Sequence, residues 1–258
     1  TDRWHAGLRT RRVRTPRLGC VPYLNARPLI HGLETTLEVP SVLTQRFLAG
    51  DFDAALIPVF EALRLPRPRI VDGYGIGSIG PVHSVVVAHQ MPLKQTPEIV
   101  LDPSSRTSVN LLRVLLSGHL KLRIPLVTHS DDLLAARLII GDPAIDFQKH
   151  MDPAWQIFDL GESWFEWTGL PFVFAVWTLA EDAPGGTADL LRQAARDGLS
   201  VLPEIAAREP DPPAAFDYLT RSIHYPIAFP ERDGIDAFRR CLISQKLLPA
   251  EAGLPVFV

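Results

Sequence analysis

Between Asp102 and Val109 the chain reads Asp-Pro-Ser-Ser-Arg-Thr-Ser-Val, which places four hydroxyls and one arginine in the five residues Ser104 to Ser108. The run Glu98-Ile99-Val100-Leu101 precedes this stretch, and apolar residues at helical spacing (Val109, Leu112, Leu115, Leu116) follow it. That pattern predicts strand, polar turn, helix. Hydroxyls at such a turn can cap the first helical turn. Together with the free amides and the positive end of the helix dipole, they can also hold a carboxylate or phosphate. Capping needs one hydroxyl, so four of them beside an arginine favour an anion site. A second turn of the same kind runs from Pro22 to Leu29. There Asn25 either caps a short helix or aims its amide at a ligand. Ser84 lies beside a third junction, in Pro81-Val82-His83-Ser84 before an apolar strand.

The elements that must carry these turns repeat one plan. A helix over residues 41–49, closed by Gly50, delivers the buried strand Ala54 to Ile57 and a short helix, Val59 to Leu63. A helix over residues 133–137 delivers the strand Leu138-Ile139-Ile140, then Gly141-Asp142-Pro143. Two lobes of similar design account for this better than a short-period solenoid. Val85 to Ala88 reads as a crossover strand between the lobes. Phe172 to Trp177, apolar on both faces, reads as a central strand of the return. Residues 189–248 are mainly helical. Gly75-Ile76-Gly77-Ser78-Ile79-Gly80 spells G-x-G-x-x-G, but a strand follows it where the dinucleotide motif requires a helix. Its glycines are expected to serve a tight turn.

Composition excludes several classes. The 258 residues are 47% hydrophobic and 21% charged, with a formal net charge of −3. That is globular, and it lacks the basic footprint of a nucleic-acid binder. Cys20 and Cys241 form neither a C-x-x-C pair nor a disulfide framework. The histidines have no metal-ligand spacing, and neither a P-loop nor a nucleophile elbow is present. No apolar run has transmembrane length. Arg11-Arg12 is not read as a twin-arginine signal, because Thr15-Pro16-Arg17 leads directly into the strand Leu18 to Val21 without an apolar segment. What remains is two hydroxyl- and amide-rich turns, plus Ser84, suited to a compound carrying carboxylates held between two lobes.

Five motifs occur in order: Tyr23-Leu24-Asn25-Ala26-Arg27-Pro28-Leu29, Gly80-Pro81-Val82-His83-Ser84-Val85, Ser105-Arg106-Thr107-Ser108-Val109, Ile140-Gly141-Asp142, and Trp167-Thr168-Gly169-Leu170-Pro171-Phe172-Val173-Phe174-Ala175-Val176-Trp177. Together they resemble the chorismate dehydratase family of the futalosine route to menaquinone. The likeness runs from about Leu18 to Trp177, with a looser fit to Leu248. The resemblance implies an α/β, two-lobed fold like the type II periplasmic binding proteins, with a ligand cleft between the lobes. Lobe 1 is expected at residues 1–92 and 171–258, and lobe 2 at 93–170.

The resemblance further implies a cytoplasmic enzyme that takes chorismate to 3-[(1-carboxyvinyl)oxy]benzoate and water. It implies catalytic roles for Asn25 and Ser84. It implies substrate binding by Ser105, Arg106, Thr107 and Ser108, and by Gly141, Asp142, Thr168 and Gly169. The expected partner is the small-molecule substrate, without metal or other cofactor, nucleic acid or membrane; the oligomeric state is not legible. His83 alternates with Ser84 along the expected strand and so faces away from it, and Asp142 also reads as a helix cap. The substrate's own enolpyruvyl carboxylate is then the expected proton acceptor. Arg106 either pairs a carboxylate or points to solvent. Two alternatives stay open: the sister enzyme 1,4-dihydroxy-6-naphthoate synthase, and a non-catalytic solute-binding protein or sensor for a small carboxylate.

Overall fold

The computed structural model describes residues 14–258, so Arg11 and Arg12 lie outside the described residues. In chain order, β1 (Leu18–Cys20) leads into a 3-10 turn (Leu24–Ile30), then β2 (Thr36–Leu37), α1 (Pro40–Leu48), β3 (Ala54–Pro58), α2 (Val59–Leu63) and the long β4 (Arg69–Ser78). The middle third holds β5 (Val85–His89), β6 (Ile99–Val100), α3 (Arg106–Val114), β7 (Leu126–Val127), β8 (Ala136–Ile140), α4 (Asp142–His150), β9 (Gln156–Asp159) and α5 (Leu160–Thr168). The chain returns through β10 (Phe172–Leu179), α6 (Thr187–Ser200), α7 (Leu202–Ala206), α8 (Pro212–Asp217), β11 (His224–Ile227), α9 (Phe229–Ser244) and β12 (Val256–Phe257).

The strands form two mixed sheets. One has seven strands, in the order β11-β4-β10-β3-β1-β2 with β12 also on β4; the other has five, in the order β7-β6-β8-β5-β9. Every residue of β3 and of β5 is buried, as strands covered on both faces must be. The chain passes from the first sheet to the second at residues 79–84 and back at residues 169–171.

The first lobe was expected to extend to residue 92, with Val85 to Ala88 as a bridge. That boundary is corrected: β5 lies inside the second sheet, antiparallel to both β8 and β9. Its run of valines on both faces suits a central strand, and the preceding glycine-containing bend makes the crossing instead. The helix expected over residues 133–137 does not form. The Asp132 carboxylate accepts the Leu134 amide at 2.8 Å, a local turn that competes with helix, and Ala136 is already paired with Ile99 in the sheet.

Gly75 and Gly77 lie within β4 rather than in a turn. A Cβ at either would stand 2.8 Å from a carbonyl oxygen, that of Ala175 or of Phe172. They let β4 and β10 approach closely. The return crossing is held by an aromatic cluster joining α5, β10 and α9. The Trp164 and Phe172 ring centroids are 5.3 Å apart, and Phe172 and Phe238 are 5.0 Å apart, both edge to face.

Candidate active site

A cavity with about 550 Å³ of space, counting its open mouth, lies between the sheets. Leu56, Ile76 and Phe174 supply an apolar wall from the first sheet, and Val85 and Ile140 supply one from the second. The polar lining comes from Tyr23, Asn25, Ser84, Ser105 and Ser108, and no charged side chain lines it among the described residues.

Ser84 is placed by the crossing segment. Gly80 has φ +85° and His83 φ +59°, so the backbone doubles sharply before β5. The buried Asp159 fixes this bend: its carboxylate accepts the Val82 amide at 3.0 Å and the His83 amide at 2.7 Å, and also the Gly161 and Glu162 amides of α5. One side chain thus caps a helix and clamps the bend that carries Ser84. His83 is exposed while Ser84 is buried. They face different ways, but through the left-handed bend rather than through strand alternation.

Asn25 sits in the 3-10 turn and makes no side-chain cap. Its Nδ2 donates to the Tyr218 hydroxyl at 3.0 Å. The Asn25 Oδ1 is buried and has no hydrogen-bond partner among the described residues. Burial pushes the Tyr218 phenol well above its ordinary range, with the Asn25 hydrogen bond and the neighbouring Ser84 hydroxyl opposing. It is therefore a neutral O–H at any working pH.

The serine turn divides its residues between two tasks. Ser105 is the N-cap of α3, its Oγ accepting from the Ser108 amide at 3.5 Å and from the Ser108 hydroxyl at 3.2 Å. Both serines line the cavity, beside the amide end of α3. Thr107 and Arg106 point elsewhere. Thr107 Oγ1 accepts the Phe60 amide in α2 at 3.0 Å. The Arg106 guanidinium lies 3.2 Å from Glu61 and over the Phe60 ring. The expectation that these two side chains meet the substrate is therefore corrected: α2 of the first lobe engages both.

Gly141 lines the cavity with φ +74° and ψ −151°, a backbone region that suits glycine, and its amide donates to the Ser84 carbonyl at 2.7 Å. Asp142 is not among the lining residues and does not cap its helix; it is the first residue of α4. Although the residue reaches solvent, its carboxyl is crowded and pushed up by desolvation, while a bond from the Leu24 amide and the charge of Arg27 oppose the shift. It faces an adjoining cavity that Leu24 and Tyr218 also line. Thr168 and Gly169 are not in the site. The Thr168 hydroxyl donates to the Trp164 carbonyl, and Gly169, at φ +69°, closes α5. Cys20 is fully buried, and desolvation pushes its thiol up to about 12, which removes it as a nucleophile.

Two site residues escaped the sequence reading. Asp159 carried a readable signal, since Asp-Leu-Gly-Glu is a helix-start pattern. Tyr218 carried none, because it meets Asn25 across 193 residues.

The comparisons with known proteins agree with this architecture. A Candida albicans gene product that exhibits the generic periplasmic binding protein structural fold superposes with a TM-score of 0.61 at 13% identity, covering 92% of this chain and 91% of its own. The protein therefore has the two-lobed periplasmic-binding-protein-like fold. A chorismate dehydratase of Thermus thermophilus is 29% identical over 87% of this chain and 94% of its own length. One from Campylobacter jejuni is 32% identical over 59% of this chain and 58% of its own. The family model described as menaquinone biosynthesis matches residues 16–242, so the chain belongs to the menaquinone biosynthesis family.

Proposed function

We propose that the protein is a chorismate dehydratase, converting chorismate to 3-[(1-carboxyvinyl)oxy]benzoate with loss of one water. The observation that carries this reading is the cavity between the lobes, which Asn25 and Ser84 line together and where the amide end of α3 stands beside Ser105 and Ser108. The two relatives named chorismate dehydratase support the choice of substrate.

The reaction removes a ring hydroxyl and the proton on the neighbouring ring carbon, and the ring becomes aromatic. As the C–H bond breaks, charge builds on the ring carboxylate. The α3 terminus and its two serines are suited to stabilise that charge in a water-poor pocket. The lining offers no Asp, Glu, His or Lys as a base. The enolpyruvyl carboxylate of the substrate takes the proton, and neutral donors around it leave it more basic than an arginine pair would. The C–H electron pair becomes the new ring double bond, the C–O bond breaks, and the departing oxygen collects the proton and leaves as water. Asn25 and Ser84 orient the reacting groups. Gly141, Ser105 and Ser108 complete the substrate contacts. We place the enzyme in the cytoplasm, in keeping with its two free thiols, Cys20 and Cys241.

The test is to incubate the purified protein with chorismate and follow products by chromatography and mass. Appearance of the aromatic enolpyruvyl ether, lighter by one water, is expected. Unchanged chorismate, where a known dehydratase works under the same conditions, overturns the reading. Full activity in the Asn25→Ala, Ser84→Ala double variant removes their assigned roles.

A further inference from the structure

One residue of the second sheet grips the chain on both sides of Ser84. Asp159 closes β9, where it pairs with Val86 of β5, two residues after Ser84. Its side chain reaches the two residues before Ser84. Oδ2 accepts the His83 amide at 2.7 Å, and the Val82 amide lies 3.0 Å from Oδ2 and 3.1 Å from Oδ1. The first turn of α5 seats directly on this segment, because a Cβ at Gly161 would stand 2.8 Å from the Gly80 carbonyl oxygen. Asp159 is 6% exposed, and it is not among the residues that line the cavity.

Capping α5 needs one oxygen. Oδ1 does that, accepting the Gly161 amide at 2.9 Å and the Glu162 amide at 3.1 Å. Oδ2 is given to the bend. Backbone amides only donate, so each side of this group must be an acceptor, and a carboxylate meets both demands. An asparagine would turn its NH2 toward one set of donors. The bend needs the second oxygen because its backbone is unfavourable: Gly80 has φ +85° and His83 φ +59°. A non-glycine residue at positive φ persists where its surroundings hold it there. The His83 side chain is exposed, so the grip falls on its amide.

We propose that Asp159 is a positioning residue for the reaction: by clamping the bend at Val82 and His83 it fixes Ser84 at the cavity as part of the second lobe. This rests on the dehydratase reading, which gives Ser84 its task at the reacting groups. Asn25 belongs to the 3-10 turn of the first lobe. The two side chains that orient the substrate thus come from opposite sides of the crossing, and the clamp decides where the second of them stands. The Gly141 amide, donating to the Ser84 carbonyl at 2.7 Å, holds the same residue from the neighbouring strand end.

The test uses Asp159→Asn in the full chain, which keeps a good helix cap and takes the second acceptor from the bend. Displacement of Ser84 lowers kcat by about 100-fold, with KM for chorismate changed by less than about threefold because Ser105 and Ser108 are untouched. Asp159→Ser, which caps through its hydroxyl and cannot serve both sides, gives the same pattern. In a cycle with Ser84→Ala, the Asp159→Asn double variant is no more than about threefold slower than Ser84→Ala alone, because the carboxylate acts through Ser84. A merely structural aspartate gives losses that multiply, and that result overturns the proposal. Wild-type kcat in Asp159→Asn overturns it too, as does failure of both Asp159 variants to fold. A readout independent of turnover is the backbone amide resonance of His83 in the nitrogen–proton NMR spectrum. It is expected to move upfield in Asp159→Asn as its short bond to the carboxylate is lost; an unmoved resonance overturns the clamp. The two failures are distinguishable: a wild type that leaves chorismate unchanged overturns the dehydratase reading and this role with it, whereas an active wild type with an equally active Asp159→Asn overturns this role alone.

Discussion

Thr107 Oγ1, in the second lobe, accepts the backbone amide of Phe60, in the first lobe, at 3.0 Å, so one lobe caps a helix of the other. Residues three apart share a helix face. Ser105 and Ser108 therefore face the cavity, while Arg106 and Thr107 face α2. The turn lines the cavity on one side and docks the lobes on the other.

Removing the Thr107 hydroxyl without changing the side-chain volume isolates the docking role. Thr107→Val leaves the Phe60 amide without its acceptor, which costs about 1–2 kcal/mol. The urea midpoint is expected to fall with an unchanged slope. An unmoved midpoint means that water satisfies the amide equally well.

Arg106 and the two inward serines should separate in kinetics. Arg106→Gln is expected to keep kcat/KM for chorismate within about threefold of wild type, since the guanidinium sits on Glu61 and Phe60. If Ser105 and Ser108 hold a substrate carboxylate as proposed, Ser105→Ala and Ser108→Ala each raise KM by about tenfold or more. A 100-fold loss in Arg106→Gln shows instead that the side chain swings into the cavity.

Two glycines with positive φ offer a second contrast. A Cβ on Gly141 would stand 3.2 Å from the Tyr23 ring. Gly141→Ala is therefore expected to lose about 1–3 kcal/mol of stability and to push Tyr23 toward the substrate, raising KM. Around Gly169 nothing lies within 4 Å of such a Cβ. Gly169→Ala strains only the helix end, costing about 1 kcal/mol, and should leave kcat and KM as they are. Thermal unfolding beside steady-state kinetics checks both; impaired turnover in Gly169→Ala restores it to the site.

Acid stability should report Asp53. Its carboxylate is fully buried, and burial alone would raise its pKa. Hydrogen bonds from Arg14 at 2.6 Å and Arg17 at 3.0 Å, with the Arg17 amide at 2.7 Å, hold it well below the usual carboxylate range instead. The folded value lies below the unfolded value of about 4. Its stabilisation is therefore complete above about pH 4 and is lost as pH falls toward the folded value. The melting temperature of the wild type should drop more steeply below pH 4 than that of Asp53→Asn; parallel curves overturn the assignment.

Local rules reached far into this chain. Gly50 closing α1, the buried Ala54–Pro58 strand and the short α2 follow from spacing, apolar runs and glycine placement, which act over a few residues. The serine turn at a strand–helix junction was legible for the same reason, as were Asn25 and Ser84 as residues to watch. Only the tertiary structure decided where the side chains went. Thr107 and Arg106 left the cavity because α2 packs against them. Residues 133–137 gave up helix because a side-chain turn and the sheet claimed their amides. β5 joined the second sheet because a strand buried on both faces is most stable between two neighbours. Tyr218 joined Asn25 because burial brings segments 193 residues apart to one hydroxyl. Periodicity records which face of an element is buried, but not which distant partner buries it.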